Sequence, residues 1–198
     1  MAKLICITGI DGSGKDTLIN LLKDKLESVV VADIWDSFND KNGTQLFSSK
    51  KEIDTYLCSL TPDSRLLFLS HALKYSIDKA LLSDAEYILF NAYYYKYFAN
   101  EISLGADLKL VDDLIKVFPK PDMIFKINID VELAAKRKQK LSRYECGAKE
   151  KADMESFIDA QKRAEKEWSH FQIDNLINLD ARKTPEEQLN EMMNSIVG

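Results

Sequence analysis

Glycine is concentrated in one short segment of this 198-residue chain, where three of the seven glycines fall between positions 9 and 14. Gly9, Gly14 and Lys15 fit the spacing G-x-x-x-x-G-K, and Gly12 lies between them. Backbone amides in such a loop can approach phosphate oxygens closely, because glycine has no side chain and tolerates unusual dihedral angles. The lysine then supplies a cation for the phosphates of a nucleotide. We therefore predict that ATP binds here, through Gly9, Asp11, Gly12, Ser13, Gly14, Lys15, Asp16 and Thr17.

The residue after the lysine departs from this pattern, which normally has a serine or threonine whose hydroxyl binds Mg²⁺. Asp16 occupies that position, and Thr17 follows one residue late. A carboxylate beside phosphates is repelled unless a metal ion lies between them. Asp16 is therefore a candidate Mg²⁺ ligand. The alternative is that its side chain turns away from the nucleotide and the metal is held differently.

The loop needs a strand before it and a helix after it, and the sequence supplies both. Apolar, β-rich runs occur at residues 4–7, 29–31, 87–90, 123–127 and 176–179, separated by longer segments with helical spacing. Strands that alternate with helices form a parallel sheet covered by helices on both faces. We predict a three-layer α/β fold of the P-loop NTPase type, with five parallel strands in one domain spanning residues 1–198.

Apolar residues at helical spacing identify the segments between these runs. Leu18, Leu22 and Leu26 recur every four residues directly after the loop and predict a helix there. A long buried helix is predicted over residues 61–82, because a threonine and a proline at its start supply an N-cap and a first turn. Another amphipathic helix is predicted over residues 154–168.

Charge and cysteine usage limit the partners and the compartment. A net charge of −5 argues against general affinity for nucleic acid, since phosphate backbones bind clustered lysine and arginine. The apolar runs are shorter than the ~18 residues of a membrane-spanning helix, and the N-terminal run is too short for a signal peptide. The three cysteines are widely spaced and lack a Cys-x-x-Cys pair. We expect a cytoplasmic protein that binds nucleotides and neither nucleic acid nor membrane.

Several segments occur in the order found in thymidylate kinases, and the chain resembles that family over almost its whole length. These segments are the glycine-rich loop and residues 53–57, 65–70, 120–125 and 135–138. The resemblance implies a nucleoside monophosphate kinase fold, ATP with Mg²⁺ as the donor, and transfer of the γ-phosphoryl group to a 5′-monophosphate such as thymidine monophosphate. It is also compatible with a homodimer.

The resemblance assigns roles to single residues. Asp11 would contact a sugar hydroxyl of the acceptor, Phe68 would lie against its base, and Arg137 would bracket ATP. Tyr93 lies nearest the end of the third predicted strand, and its ring could stack on a base. For both Phe68 and Tyr93 the alternative is a packed position in the core. The predicted acceptor-binding residues are Asp11, Asp36, Arg65, Phe68, Asn91 and Tyr93.

Arginines of the family are absent from three positions on the acceptor side. After the third strand the family has Asp-Arg and an aromatic residue, whereas this chain has Asn91, Ala92 and Tyr93. Ala72 replaces another arginine in the central helix, and residues 35–38 contain none. Each charged hydrogen bond to phosphate contributes roughly 1.5 to 3 kcal/mol. These losses are therefore expected to change or weaken acceptor binding.

A basic segment follows the fourth predicted strand, where the family has its lid. Residues 136–151 carry seven lysines and arginines against two glutamates. Such a cover could close over the polyphosphate and exclude water, and the alternative is a solvated, charged helix end. Together with Lys15, Arg137 and Arg143 are the predicted catalytic residues, because a planar guanidinium fits a phosphoryl group.

Three functions are compatible with these residues. The first is ATP-dependent phosphorylation of a nucleoside monophosphate, which needs no strong general base. The second is phosphorylation of a nucleoside or another small molecule on the same fold, with Asp33 or Asp36 as the base for a hydroxyl group. The third is nucleotide binding with little catalysis, since Asp16, Asn91 and Ala92 depart from the family pattern.

Overall fold

The structure is a computed structural model that describes residues 2–38 and 46–198, apart from the side chain of Asp36. Five strands form one parallel sheet in the order β2-β3-β1-β4-β5. The strands are β1 (Lys3–Thr8), β2 (Val29–Ala32), β3 (Tyr87–Asn91), β4 (Met123–Asn128) and β5 (Leu176–Asp180). Each contains one of the five predicted apolar runs, so the predicted sheet is confirmed.

The described ranges contain eight α-helices, of which seven lie between successive strands and α8 follows β5. They are α1 (Lys15–Lys25), α2 (Lys50–Ser59), α3 (Pro62–Leu81), α4 (Tyr93–Ser103), α5 (Leu108–Ile115), α6 (Val131–Arg137), α7 (Met154–Lys166) and α8 (Pro185–Val197). Short 3₁₀ helices occur at Ile34–Phe38 and Glu167–His170. The predicted helix over residues 61–82 is confirmed as α3, with Thr61 as its N-cap. The predicted helix over residues 154–168 is α7, whose last turn continues as 3₁₀.

Strand alternation places a hydrophobic cluster on each face of the sheet, as the three-layer prediction requires. Successive residues of a strand point to opposite faces. Ile5 and Ile7 of β1 pack with apolar residues of α1 and α8, whereas Cys6 packs with α3 and α4 on the other face. In the described ranges no helix combines the length and apolar character needed to cross a membrane.

The strand order positions the loop at a reversal in chain direction. From β1 the chain crosses to β2 on one side, and from β3 it crosses over β1 to reach β4 on the other. Ligands of open α/β sheets bind outside the carboxyl ends of the strands at such a switch point. The loop after β1 and Asn91 at the end of β3 therefore flank the expected crevice.

Candidate nucleotide-binding site

The loop between β1 and α1 has the conformation that a phosphate-binding backbone needs. Gly12 has φ +82°, and a Cβ there would lie 2.5 Å from the carbonyl oxygen of Ala134. Gly14 has φ +105° and is the N-cap of α1, which has no side-chain cap. The N-terminal amides of a helix without a cap can bind an anion.

Two of the eight α-helices in the described ranges begin without a side-chain cap, and both begin beside the crevice. Alongside α1, α4 starts after Ala92 with no capping side chain. The other six helices are capped by Ser49, Thr61, Asp107, Asp130, Asp153 and Thr184. The uncapped ends are those next to the crevice, where a ligand could replace the missing cap.

Lys15 is held inside the loop by backbone oxygens. Its Nζ donates to the carbonyl oxygens of Gly9 at 2.9 Å and Ile10 at 2.7 Å, and the side chain is buried. Burial, followed by the charge of Lys96, lowers the pKa of Lys15 to about 7, while Asp11 opposes the shift. An ammonium whose charge is so poorly compensated favours an incoming phosphate.

Asp11 and Lys96 form an ion pair across the crevice. Lys96 Nζ lies 2.5 Å from Asp11 Oδ1, and both side chains are largely enclosed. Burial opposes the ionisation of Asp11, but the charges of Lys96 and Lys15 outweigh it and lower the pKa of Asp11 to about 2. The backbone N–H of Asp11 donates to Gln161 of α7 at 3.1 Å, which fixes the loop against that helix.

Asn91 connects two carboxylates at the end of β3. Its Nδ2 donates to Asp16 Oδ1 at 3.0 Å and to Asp33 Oδ2 at 2.8 Å. One amide nitrogen thus brings a carboxylate of α1 and one that follows β2 to the same point. Mg²⁺ in nucleotide enzymes is held by one or two carboxylates together with substrate phosphates, so this donor set fits that ion.

These groups face one cavity of about 790 Å³. Its volume lies in the range of small-molecule sites. The charged residues that line it are Lys15, Lys50, Lys96, Arg137, Lys138 and Lys183 on the positive side and Asp11, Asp16, Asp33, Asp54 and Glu145 on the negative side. A cavity with this mixture of charges can hold an anionic ligand together with a metal ion.

The comparisons with known proteins identify the family. The sequence profile described as "Thymidylate kinase" matches residues 7–192. This chain belongs to the thymidylate kinase family. It is 34% identical over 145 residues, covering 69% of this chain and 70% of the relative, to "Probable thymidylate kinase 1" of Saccharolobus solfataricus (strain P2). The general function of the family is ATP-dependent phosphoryl transfer to a nucleoside monophosphate, and the chain is an enzyme of that class.

Solved structures support the fold. Thymidylate kinase from Candida albicans matches with a TM-score of 0.68 at 18% identity, over 98% of this chain and 91% of that chain. A deoxyadenosine kinase from M. mycoides with bound dATP matches with a TM-score of 0.65 at 15% identity, over 98% of this chain and 100% of that chain. The P-loop kinase fold predicted from the sequence is therefore confirmed.

Most residues predicted for ATP line the cavity, together with the acceptor candidate Asn91 and the catalytic candidate Arg137. Those at the cavity are Asp11, Gly12, Ser13, Gly14, Lys15, Asp16, Thr17, Asn91 and Arg137. Gly9 lies behind them and accepts from Lys15. Arg137 ends α6 and donates through Nη2 to the carbonyl oxygen of Ala181 at 3.1 Å. Arg137 lines the same cavity as the loop.

Arg65, predicted to contact the acceptor, lies in the core instead. Its Nε donates to Glu101 Oε2 at 2.8 Å, and its Nη1 donates to the carbonyl oxygens of Leu57 at 2.9 Å and Leu60 at 3.1 Å. Tyr144 OH donates to the second oxygen of Glu101 at 2.9 Å. Burial raises the pKa of Glu101 and Arg65 opposes the shift. This guanidinium holds α2, α3 and α4 together and does not line the cavity.

The two aromatic candidates also lie away from the cavity. Tyr93 is fully buried, stacks on Phe90 with ring centroids 4.6 Å apart, and donates to the carbonyl oxygen of Pro119 at 2.5 Å. Phe68 stacks on Phe38 at 5.2 Å. Both rings therefore take the packed alternative. Trp35, whose ring lies 5.9 Å from that of Phe38, is an aromatic residue that does line the cavity.

The side chain of Arg143 contacts the backbone of its own basic segment. Its Nε donates to the carbonyl oxygen of Lys149 at 2.9 Å, and it is not among the residues that line the cavity. Its backbone N–H and that of Tyr144 donate to the carboxylate of Asp54 in α2. Glu145 accepts from Lys138 at 2.8 Å. The segment is thus anchored to its surroundings, and Arg143 positions it through the backbone.

The acceptor candidate Asp36 falls on a side chain outside the described part of the structure. Asp33, by contrast, lines the cavity. Lys96 and Trp35 line the cavity but were not among the predicted site residues. A signal for Lys96 existed, because it follows the end of the third strand by five residues, and ligands of open α/β sheets bind outside the carboxyl ends of the strands.

Proposed function

We propose that this protein transfers the γ-phosphoryl group of ATP to thymidine monophosphate or a related nucleoside monophosphate, with Mg²⁺ as the cofactor. The observation that carries the proposal is the convergence of three groups on one cavity. These are the loop with Lys15, the Asp11–Lys96 pair, and the two carboxylates bridged by Asn91. Kinases of the family use ATP as the donor, which agrees with the loop geometry.

The residues of this chain divide the work between donor and acceptor. The loop amides and Lys15 bind the phosphates of ATP and stabilise charge on the transferring group. Arg137 contacts the nucleotide from the lid side, and the segment of residues 136–151 excludes water. Asp11 contacts a sugar hydroxyl of the acceptor, and Trp35 offers an aromatic face for its base. Asp16 and Asp33 would hold Mg²⁺, which neutralises phosphate charge when bound.

A nucleoside is the second candidate acceptor, because Asp33 lies where a base could act. Its carboxylate lines the cavity and accepts from Asn91. Transfer to a hydroxyl group benefits from such a base, whereas transfer to a monophosphate does not require one. The first candidate is preferred because cations outnumber anions in the cavity by six to five, and because transfer to a nucleoside monophosphate is the general function of the family.

The decisive experiment measures ADP release with Mg-ATP and a panel of deoxynucleosides and their 5′-monophosphates. We expect release to depend on a monophosphate, with thymidine monophosphate or deoxyuridine monophosphate among the active acceptors. Activity with nucleosides alone would favour the second candidate. ATP binding without any acceptor-dependent release would leave the protein a nucleotide-binding module and contradict both. Lys15→Ala is the control for a contaminating kinase, because it should abolish the signal.

We further propose a cytoplasmic enzyme that forms a homodimer. The cytoplasm is supported by Cys6, Cys58 and Cys146, which are free thiols. The homodimer is supported by the family resemblance alone. Sedimentation at several protein concentrations would test it, and a single species with the mass of one chain would contradict it.

A further inference from the structure

We propose that Lys96 binds the phosphate of the acceptor. It would then replace the arginine that the family has at position 92, where this chain has an alanine. The inference rests on the proposed function, since it requires a monophosphate as the acceptor. It concerns a residue that is not part of the glycine-rich loop or of the basic segment at residues 136–151.

The geometry of α4 carries the first step. Ala92 is the N-cap of α4, Lys96 is its fourth residue, and both line the cavity. Lys96 thus places a cation in this cavity four residues after the position at which the family has an arginine. The α4 end itself has no side-chain cap and adds favourable potential for an anion.

The neighbouring charges carry the second step. Lys96 Nζ is 2.5 Å from Asp11 Oδ1, and Asp11 is the proposed contact for the acceptor sugar. The charge of Lys96 also reaches Lys15, where it lowers the pKa of the loop lysine. Two enclosed ammonium groups near one carboxylate repel each other, and a cation near a helix N-terminus is unfavourable. Burial disfavours the charge of Lys96, but Asp11 outweighs burial and raises the pKa of this lysine, whereas the charge of Lys15 stays poorly compensated. A phosphate that contacts both cations would compensate the charge of Lys15.

Exposure separates Lys96 from three other cations of the cavity, whereas Lys138 is equally enclosed but belongs to the basic segment and pairs with Glu145. The side chain of Lys96 is only 20% exposed, and Lys15 is buried. Lys50, Arg137 and Lys183 are exposed at the rim. A charged hydrogen bond is strongest where water is excluded, so the enclosed lysine on the α4 side is the one suited to orient a phosphate.

The test compares a monophosphate with its own nucleoside. Calorimetry would measure binding of thymidine monophosphate and thymidine, and of the corresponding deoxyadenosine, deoxycytidine, deoxyguanosine and deoxyuridine pairs. We expect Lys96→Met to weaken the monophosphates about 10- to 150-fold, with the nucleosides unchanged. Lys96→Arg should retain most of the affinity, because it keeps a cation. Lys162→Met is the matched control, since Lys162 pairs with Glu132 away from the cavity.

A double variant separates phosphate binding from simple neutralisation of Asp11. Lys96→Met leaves the Asp11 carboxylate without its cation, and this charge could itself repel a phosphate. The double variant Asp11→Asn/Lys96→Met removes the carboxylate as well as the lysine. If Lys96 binds the phosphate, the double variant should remain as weak toward monophosphates as Lys96→Met. Recovery in the double variant, equal losses for monophosphate and nucleoside, or no loss at all would overturn the inference. Failure of the wild type to bind any monophosphate would instead overturn the proposed function. Thermal melting of each variant establishes that it is folded, and the double variant remains interpretable if Lys96→Met alone is not.

Discussion

Asp16 and Asn91 are separate departures from the family pattern, yet their side chains meet, with Asn91 Nδ2 and Asp16 Oδ1 3.0 Å apart. The pattern has a hydroxyl residue at the first position, and the resemblance assigns an aspartate to the second. In this chain the carboxylate stands on the loop and the neutral side chain at the strand end. Relative to the family pattern, the carboxylate has moved from position 91 to position 16. These two positions together therefore still contribute one negative charge beside Asp33, where a cation would bind.

Asp16→Asn should change nucleotide affinity in opposite directions with and without the metal. With Mg²⁺ present, the loss of a ligand should weaken ATP binding, whereas with EDTA the loss of a charge that repels phosphate should strengthen it. Each change should be about 1 to 4 kcal/mol, the Coulomb energy of two unit charges 4 Å apart between bulk water and a protein surface. Calorimetry in the two buffers measures both. A change of the same sign in both would mean that Asp16 faces away from the nucleotide.

The double exchange Asp16→Ser/Asn91→Asp tests whether the two positions compensate. Asp16→Ser alone should reduce the Mg²⁺ dependence of ATP binding, because a neutral hydroxyl replaces the carboxylate while Asn91 still supplies no charge. Asn91→Asp alone would place a third carboxylate beside Asp16 and Asp33, which should destabilise the metal-free protein. The double variant returns one charge to the site and should bind Mg-ATP within about tenfold of the wild type, or ~1.4 kcal/mol. If it is no better than Asp16→Ser, the positions act independently.

At the level of elements, the Arg65–Glu101 pair ties α3 to α4 behind the cavity. Arg65→Met should lower the free energy of unfolding by about 3 to 5 kcal/mol, because it leaves Glu101 buried without its cation. Urea denaturation measures the change. Lys74→Met is the matched control on the same helix, since the Lys74–Asp78 pair is exposed and its loss should cost less than ~0.5 kcal/mol. A folded Arg65→Met of normal stability that binds acceptor poorly would return Arg65 to the acceptor site.

The five strands and the helices α1, α3 and α7 were predictable because their signals are local. Short continuous apolar runs identified every strand of the sheet, and the Thr61–Pro62 start identified α3. The loop residues were predictable for the same reason. Long-range pairings were not, since nothing near Arg65 in sequence reveals Glu101, 36 residues away. Tyr93 shows the same limit, because its closeness to a strand end does not indicate that its ring turns into the core.

Lys96 shows what helical geometry could have added. Its partner Asp11 lies 85 residues earlier, so the ion pair has no local signal. Its position near the carboxyl end of β3, however, follows from α4 beginning at Tyr93, directly after that strand. Aromatic side chains dominate residues 93–98 and concealed the one cation among them. The acceptor side of the cavity is therefore less depleted of cations than the three missing arginines indicate.

At the level of the whole molecule, charge is unevenly distributed. The chain has a net charge of −5, whereas the cavity is lined by six cations and five anions, a balance of +1. A negatively charged nucleotide must therefore approach a protein whose net charge is also negative. It would bind in a cavity whose local charge is positive. Distant charges are screened over about 8 Å at physiological ionic strength, and enclosed ones much less. Affinity should thus depend on the enclosed groups, with Lys15 the foremost among them.

This dependence can be measured as a change in the stability of the whole protein. A ligand present at 100 times its Kd stabilises the folded state by about 2.7 kcal/mol, which in a chain of this length raises Tm by about 5 to 10 °C. Lys15→Ala removes a charged contact to phosphate and should weaken Mg-ATP by at least ~1.5 kcal/mol. At the same ATP concentration the stabilisation would fall to about 1.3 kcal/mol or less, so the Tm shift should be roughly halved. Only the difference between melts with and without Mg-ATP is compared, so any change that the substitution makes to the intrinsic Tm cancels. Equal shifts in the wild type and Lys15→Ala would remove the loop lysine from the donor site.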